Sequence, residues 1–131
     1  ALAAIGVEMI EQPVPVGQDA LLDGIKSPIP LLADESCQSR SDLALCARYY
    51  DCINIKLDKA GGLTEALAMA REAEARGLKL MVGCMLSTSL GISPAFLVAQ
   101  GALWVDLDGP ILLAEDREDG FRFEKGMILP A

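Results

Sequence analysis

The chain has 131 residues, 52% apolar and 23% charged, a balance that excludes intrinsic disorder and fits within one domain. Eleven Lys and Arg against nineteen Asp and Glu leave a net charge of −8, so a nucleic-acid backbone would be repelled rather than held. There is no His, which excludes His-based triads, imidazole proton shuttles and His-ligated zinc, and leaves acid–base chemistry to Lys, Asp, Glu, Tyr or Cys.

In chain order the expected elements are a strand at 7–11, a helix at 18–26, a strand at 31–34, a helix at 39–49, a strand at 52–57, a helix at 63–76, a strand at 79–83, a helix at 93–102 and a strand at 103–106. Short apolar runs alternating with helical patterns are the signature of parallel strands joined by crossover helices. The helix at 63–76 is the clearest: Leu63, Ala66, Leu67, Ala70 and Ala73 make one apolar stripe, and Gly77 stops it. After Asp108 the pattern changes. Gly109 and Pro110 predict a turn, and Phe121, Arg122 and Phe123 followed by Gly126, Met127 and Ile128 predict a terminal hairpin that folds back over the sheet or over a domain outside this chain.

Residues 80–105 carry no Asp, Glu, Lys or Arg, long enough for a membrane span of about 20 residues. Ser87, Thr88, Ser89, Gly91, Ser93, Pro94, Gln100 and Gly101 interrupt that stretch, and it reads instead as a buried strand, a polar loop and a buried helix, so no membrane is expected. Cys37, Cys46, Cys52 and Cys84 form no C-x-x-C pair. They read as reduced thiols in a cytoplasmic protein. The chain starts at Ala1 without a basic and then apolar leader, which reads as a cut through a larger domain rather than a signal peptide.

Polar residues recur at the strand ends. Glu11, Asp34, Lys56 and Asp106 follow one another at steps, or a double step, of about 22 to 25 residues, the size of one βα unit. The repeat fits an open doubly wound sheet or part of a closed barrel, and in both, ligands bind beyond the carboxyl ends of the strands. In the third strand Ile53, Ile55 and Leu57 share one face while Asn54, Lys56 and Asp58 share the other. A fully buried parallel strand is apolar on both faces, so Lys56 is expected to face a polar rim rather than fray into solvent.

Glu11 and Asp34 are hard oxygen donors of the type Mg2+ selects, two ligands of a site that needs a third from outside these residues. Glu11 could instead cap the turn before Pro13, and Asp34 the helix that follows it. Asp106 and Asp108 stand two apart and share one face of extended chain, where two carboxylates repel unless a metal or a substrate ammonium lies between them. A solvated turn at Asp108-Gly109-Pro110 is the alternative. Gly61 and Gly62 read as a tight strand-to-helix turn, because no phosphate-binding glycine motif surrounds them. The segment from Gly83 through Cys84 and Met85 to Ser89 lacks a His to activate a nucleophile and reads as a pocket lining.

Together, Ile10-Glu11-Gln12-Pro13, Ala33-Asp34-Glu35-Ser36, Asn54-Ile55-Lys56-Leu57, Lys59-Ala60-Gly61-Gly62, Gly83-Cys84-Met85 and Asp106-Leu107-Asp108-Gly109-Pro110 resemble the muconate-lactonizing subgroup of the enolase superfamily, within it the dipeptide epimerases. The resemblance covers nearly the whole chain. It implies an α/β fold, the C-terminal half of a (β/α)7β TIM-like barrel with about strands 4 to 8 in residues 1–131 and a tail from about 109. It implies Glu11 and Asp34 as Mg2+ ligands, Lys56 as the acid–base lysine, Asp106 and Asp108 as the grip on a dipeptide ammonium, and Cys84 and Met85 beside the substrate. A first metal-ligand Asp and an opposing K-x-K lysine are expected upstream of Ala1, so the isolated chain is expected to be inactive. Ser87 stands where many relatives carry Glu, which leaves the dipeptide's side chain open. A lysine base working near neutral pH implies an ammonium destabilised by burial and by nearby positive charge. The implied reaction is epimerisation of Ala-Glu or another Ala-X dipeptide. Alternatives are o-succinylbenzoate synthesis or muconate cycloisomerisation on the same scaffold, or a non-catalytic fragment whose open strand edges pair with another copy or with the missing half.

Overall fold

The computed structural model describes residues 2–130. Five strands, β1 (Ile10–Glu11), β2 (Leu31–Ala33), β3 (Cys52–Ile55), β4 (Lys79–Gly83) and β5 (Trp104–Asp106), pair in parallel in the same order as they occur in the chain. A doubly wound sheet reverses its strand order at a switch point. This one does not reverse, so the barrel alternative holds.

Side-chain parity gives the sheet two distinct faces. Leu31, Ala33, Ile53, Ile55, Leu80 and Val82 point outward into the main core. There they meet α1 (Leu43–Tyr49), α3 (Leu63–Ala75) and α4 (Ser89–Ala99) through Leu43, Cys46, Ala66, Met69, Ala73, Ile92 and Ala95. The inner face carries a smaller cluster of Leu32, Cys52 and Met81 with Met9 and Trp104 against them. Two residues further along each strand, parity returns Glu11, Asp34, Asn54, Gly83 and Asp106 to that inner face. An apolar floor thus lies beneath a polar layer.

The strand at 79–83 matches its expected span, and the other strands are shorter. Leu57 leaves β3 to open a four-residue helix, α2 (Leu57–Ala60). The expected helix at 39–49 is a 3-10 turn at Arg40–Asp42 running into α1. The helix expected at 18–26 is only a 3-10 turn, Asp19–Leu22, ended by Asp23, which turns to extended backbone at ψ 125°, with the left-handed Gly24 after it. In contrast, α4 begins before the expected 93–102 and contains Pro94. Its first residue is fixed from afar: Asp116 accepts the Ser89 amide at 2.9 Å and also the Ser89 hydroxyl.

The stretch 80–105 therefore divides into β4, a loop, α4 and β5, and no described helix is long and apolar enough to cross a membrane. The terminal hairpin forms as expected, with β6 (Arg122–Glu124) antiparallel to β7 (Met127–Leu129). It folds back on the chain: Phe121 and Ile128 pack on the main core, and the Phe121 ring lies 5.4 Å from that of Phe96 in α4. All four cysteines are unpaired.

Candidate active site

Every strand end except that of β4, which is Gly83, contributes a polar side chain to the inner rim. Asn54, 1% exposed, donates from Nδ2 to Glu11 Oε1 at 2.7 Å. One residue past β3, Lys56 donates from Nζ to Asp34 Oδ2 at 2.8 Å. The other Asp34 oxygen accepts from Lys59 Nζ at 2.5 Å, and the same ammonium donates to the Asp34 carbonyl at 2.7 Å. Glu11 and Asp34 therefore face across the sheet to polar partners on β3 and α2, and neither caps its own turn.

Burial raises the Asp34 carboxyl, but the hydrogen bonds and fields of Lys56 and Lys59 outweigh it and hold Asp34 below the usual carboxylate range. For Lys56, burial pulls the ammonium down, while the Asp34 hydrogen bond and the fields of Asp34, Glu11 and Glu35 push it up, and the pKa ends above its ordinary value. This is opposite in direction to the lowering expected for a lysine base, whose sources of positive charge, a bound cation and a second lysine, lie outside these residues. The carboxylates at the rim dominate its surroundings.

Asp106 ends β5, and Asp108 stands at the start of the 3-10 turn Gly109–Leu112. Asp106 is raised by burial, then by the neighbouring Asp108 carboxyl and by Glu11, against a smaller lowering by Lys56. The two acids act on each other at the end of β5. The half-buried Cys84 thiol is raised by burial, against a lowering by the Gly109 backbone, with smaller effects of Asp106, Asp108 and Lys56. Met85 is 53% exposed. A pocket of about 710 Å³ touches Asp106 and Asp108 but is otherwise lined mainly by α4 and the terminal hairpin, through Phe96, Phe123, Met127 and Ile128, and reaches none of Glu11, Asp34 or Lys56.

Gly83 is the gap in this layer. A Cβ there would lie 2.8 Å from Asn54 Oδ1, 2.9 Å from its Nδ2 and 3.1 Å from Lys56 Cε. Gly83→Ala is therefore expected to displace Asn54 and Lys56 together and to cost about 1–3 kcal/mol of stability, as overpacking does. Thermal denaturation and turnover by the whole protein check this, and a variant of native stability and activity would contradict it.

Lys59 was legible only as part of a glycine-flanked motif. Its role follows from geometry: Lys56 is the last extended residue, and the turn of α2 brings a side chain three positions on back over the strand ends. For Asn54 the two-residue alternation specifies a face but no partner.

As metal donors, Glu11 and Asp34 have suitable chemistry, since both are carboxylates on neighbouring strands and Asp34 already holds two cationic groups. The buried Asn54 Oδ1 has no hydrogen-bond partner and adds a further oxygen beside Glu11. Among the described residues no three Asp, Glu or Cys side chains gather closely enough to enclose an ion. The set fits a partial site.

A half-barrel of parallel strands with acids and a lysine on its inner rim defines part of an α/β barrel. The family model described as "Enolase C-terminal domain-like" matches residues 1–131, and the chain belongs to that family. It is 48% identical over 130 residues to the N-acetyl-D-glutamate racemase of Pseudoalteromonas sp, covering 99% of this chain and 41% of that protein. It is 51% identical over 127 residues to the L-Ala-D/L-Glu epimerase of Escherichia coli K12, covering 97% and 40%. The chain thus spans about two fifths of the length of these curated relatives.

Among solved structures, an enolase family member from Agrobacterium tumefaciens with homology to dipeptide epimerases, bound to sodium and L-Ala-L-Glu, superposes at a TM-score of 0.95 and 56% identity, over 99% of this chain and 40% of that one. A dipeptide epimerase from Methylococcus capsulatus, complexed with Mg and L-Arg-D-Lys, superposes at 0.90 and 35% identity, over 99% and 39%. The five strands match the C-terminal half of a TIM-like barrel in such structures.

Proposed function

We propose that residues 1–131 form one partial barrel domain of an isomerase that removes and returns the proton alpha to a carboxylate, acting on a dipeptide such as Ala-Glu or another Ala-X. The observation that carries this reading is the Lys56 ammonium, held at a rim of carboxylates above an apolar floor, with the paired Asp106 and Asp108 on the same rim. The epimerase relatives support it.

In this reading Lys56 takes the α-proton, and Asp106 and Asp108 orient the substrate through its ammonium, which relieves their mutual repulsion. Cys84 and Met85 line the substrate's path. Glu11 and Asp34 would hold a divalent cation, as the Mg complex of a relative suggests. When bound, that ion supplies positive charge at the substrate carboxylate, where negative charge builds as the proton leaves. Inversion requires an acid on the opposite face of the α-carbon, which the resemblance assigns to a K-x-K strand outside these residues.

The outer sides of β1 and β5 carry no strand among the described residues. They pair with the rest of the barrel or with a second copy, and residues 1–131 alone are inactive. The unpaired thiols suit the cytoplasm.

A second reading is racemisation of an N-acylated amino acid, favoured by the 48% identity to an N-acetyl-D-glutamate racemase. That substrate has no ammonium to place between Asp106 and Asp108. Whole protein is expected to turn over L-Ala-L-Glu with a higher kcat/KM than N-acetylglutamate. Asp106→Asn is expected to raise KM for the dipeptide about 10-fold or more, as loss of a charged hydrogen bond does. Because Asp106 is raised in the fold, its ionised form destabilises the free protein. Asp106→Asn should therefore raise the thermal midpoint at neutral pH, a gain that fades as pH falls through the Asp106 pKa. Preference for N-acetylglutamate would select the second reading.

A further inference from the structure

Directly after Glu11, Gln12 takes φ 41°, a left-handed conformation uncommon outside glycine. This bend sends its side chain across to the loop that follows β2. There Oε1 accepts the amides of Asp34 at 2.9 Å and Ser36 at 3.1 Å. Nε2 donates to the Val14 carbonyl at 2.8 Å, the Ser36 hydroxyl at 2.9 Å and the Tyr50 hydroxyl at 3.3 Å. The Gln12 amide itself donates to the Leu32 carbonyl at 2.8 Å. One side chain thus ties the residue after one candidate ligand to the backbone of the other. A loop closure alone does not need a strained residue bonded to the Asp34 amide.

We propose that Gln12 is a positioning residue: it fixes the Glu11 and Asp34 carboxylates relative to each other for a divalent cation, and the strained backbone is what lets it reach both. The proposal rests on the metal reading of Glu11 and Asp34. The polar chain continues from Tyr50, whose hydroxyl donates to the buried Asp19 at 2.6 Å. That end anchors the clamp in the fold without touching either carboxylate.

The test is titration of the whole protein with MgCl2 by calorimetry, paired with thermal denaturation. Gln12→Asn keeps a residue that tolerates left-handed backbone, but its side chain is one methylene too short to hold both amides. Gln12→Gly removes the strain together with the clamp. Both are expected to weaken Mg2+ binding about 10–100-fold, the usual effect of losing a group that orients a ligand, and also to lower the thermal midpoint as the Gln12 hydrogen bonds are lost. Tyr50→Phe is expected to lower the midpoint too, while leaving Mg2+ affinity unchanged. Native Mg2+ affinity in both Gln12 variants would overturn the proposal. So would a loss that only follows destabilisation, with Tyr50→Phe weakening Mg2+ as much as they do. Failure of the wild-type protein to bind Mg2+ would instead overturn the metal reading, and the proposal with it.

Discussion

Lys56→Ala is expected to lower the rate of dipeptide epimerisation by the whole protein about 10²- to 10⁴-fold, the range lost with a positioned acid–base group. The fold should survive, because Asp34 keeps its Lys59 partner when Lys56 is removed. Lys56→Arg sharpens the test. A guanidinium can preserve the charge pair with Asp34, yet it stays protonated and cannot accept the substrate's proton. Both variants should therefore lose activity to a similar extent, and only the alanine should lose the ion pair. Chiral chromatography of the dipeptide product measures this directly, and turnover retained by either variant would remove Lys56 from the reaction.

Asp34→Ala is expected to have the largest effect on stability. It leaves the Lys56 and Lys59 ammonium groups, 17% and 15% exposed, without their shared carboxylate. Breaking a buried ion pair from one side costs about 3–5 kcal/mol, and the residual solvent contact of both lysines favours the lower end. The pH dependence carries a definite sign. Asp34 is depressed in the fold, so its contribution is complete above the carboxylate value of the unfolded chain and is lost as pH falls through the lower, folded value. The wild-type thermal midpoint should thus drop across that acid range while the Asp34→Ala midpoint falls less. Parallel curves for the two proteins would show that the ion pairs do not stabilise the fold.

The rim was legible in the sequence because of two repeating distances, the βα unit along the chain and the two-residue alternation within each strand. These place Glu11, Asp34, Lys56 and Asp106 at equivalent strand ends on one face. Element types were legible where periodicity is strong, as in α3 and β4. They failed where a distant partner decides: α4 starts at Ser89 because Asp116, beyond the next strand, fixes its first turn. The raised Lys56 pKa was out of reach for the same reason. Burial of a strand-end lysine can be expected from parity, but the sign of its shift depends on which carboxylate meets it. The reach of Gln12 depends on one backbone angle, and no residue pattern specifies it.

The most direct test of the account is proton NMR of L-Ala-L-Glu incubated in D2O with the whole protein and MgCl2. Abstraction at Lys56 with return from the opposite face predicts loss of the glutamyl α-proton signal, with L-Ala-D-Glu resonances growing in as deuterium enters. An α-proton signal that persists undiminished, with no second diastereomer, would contradict it.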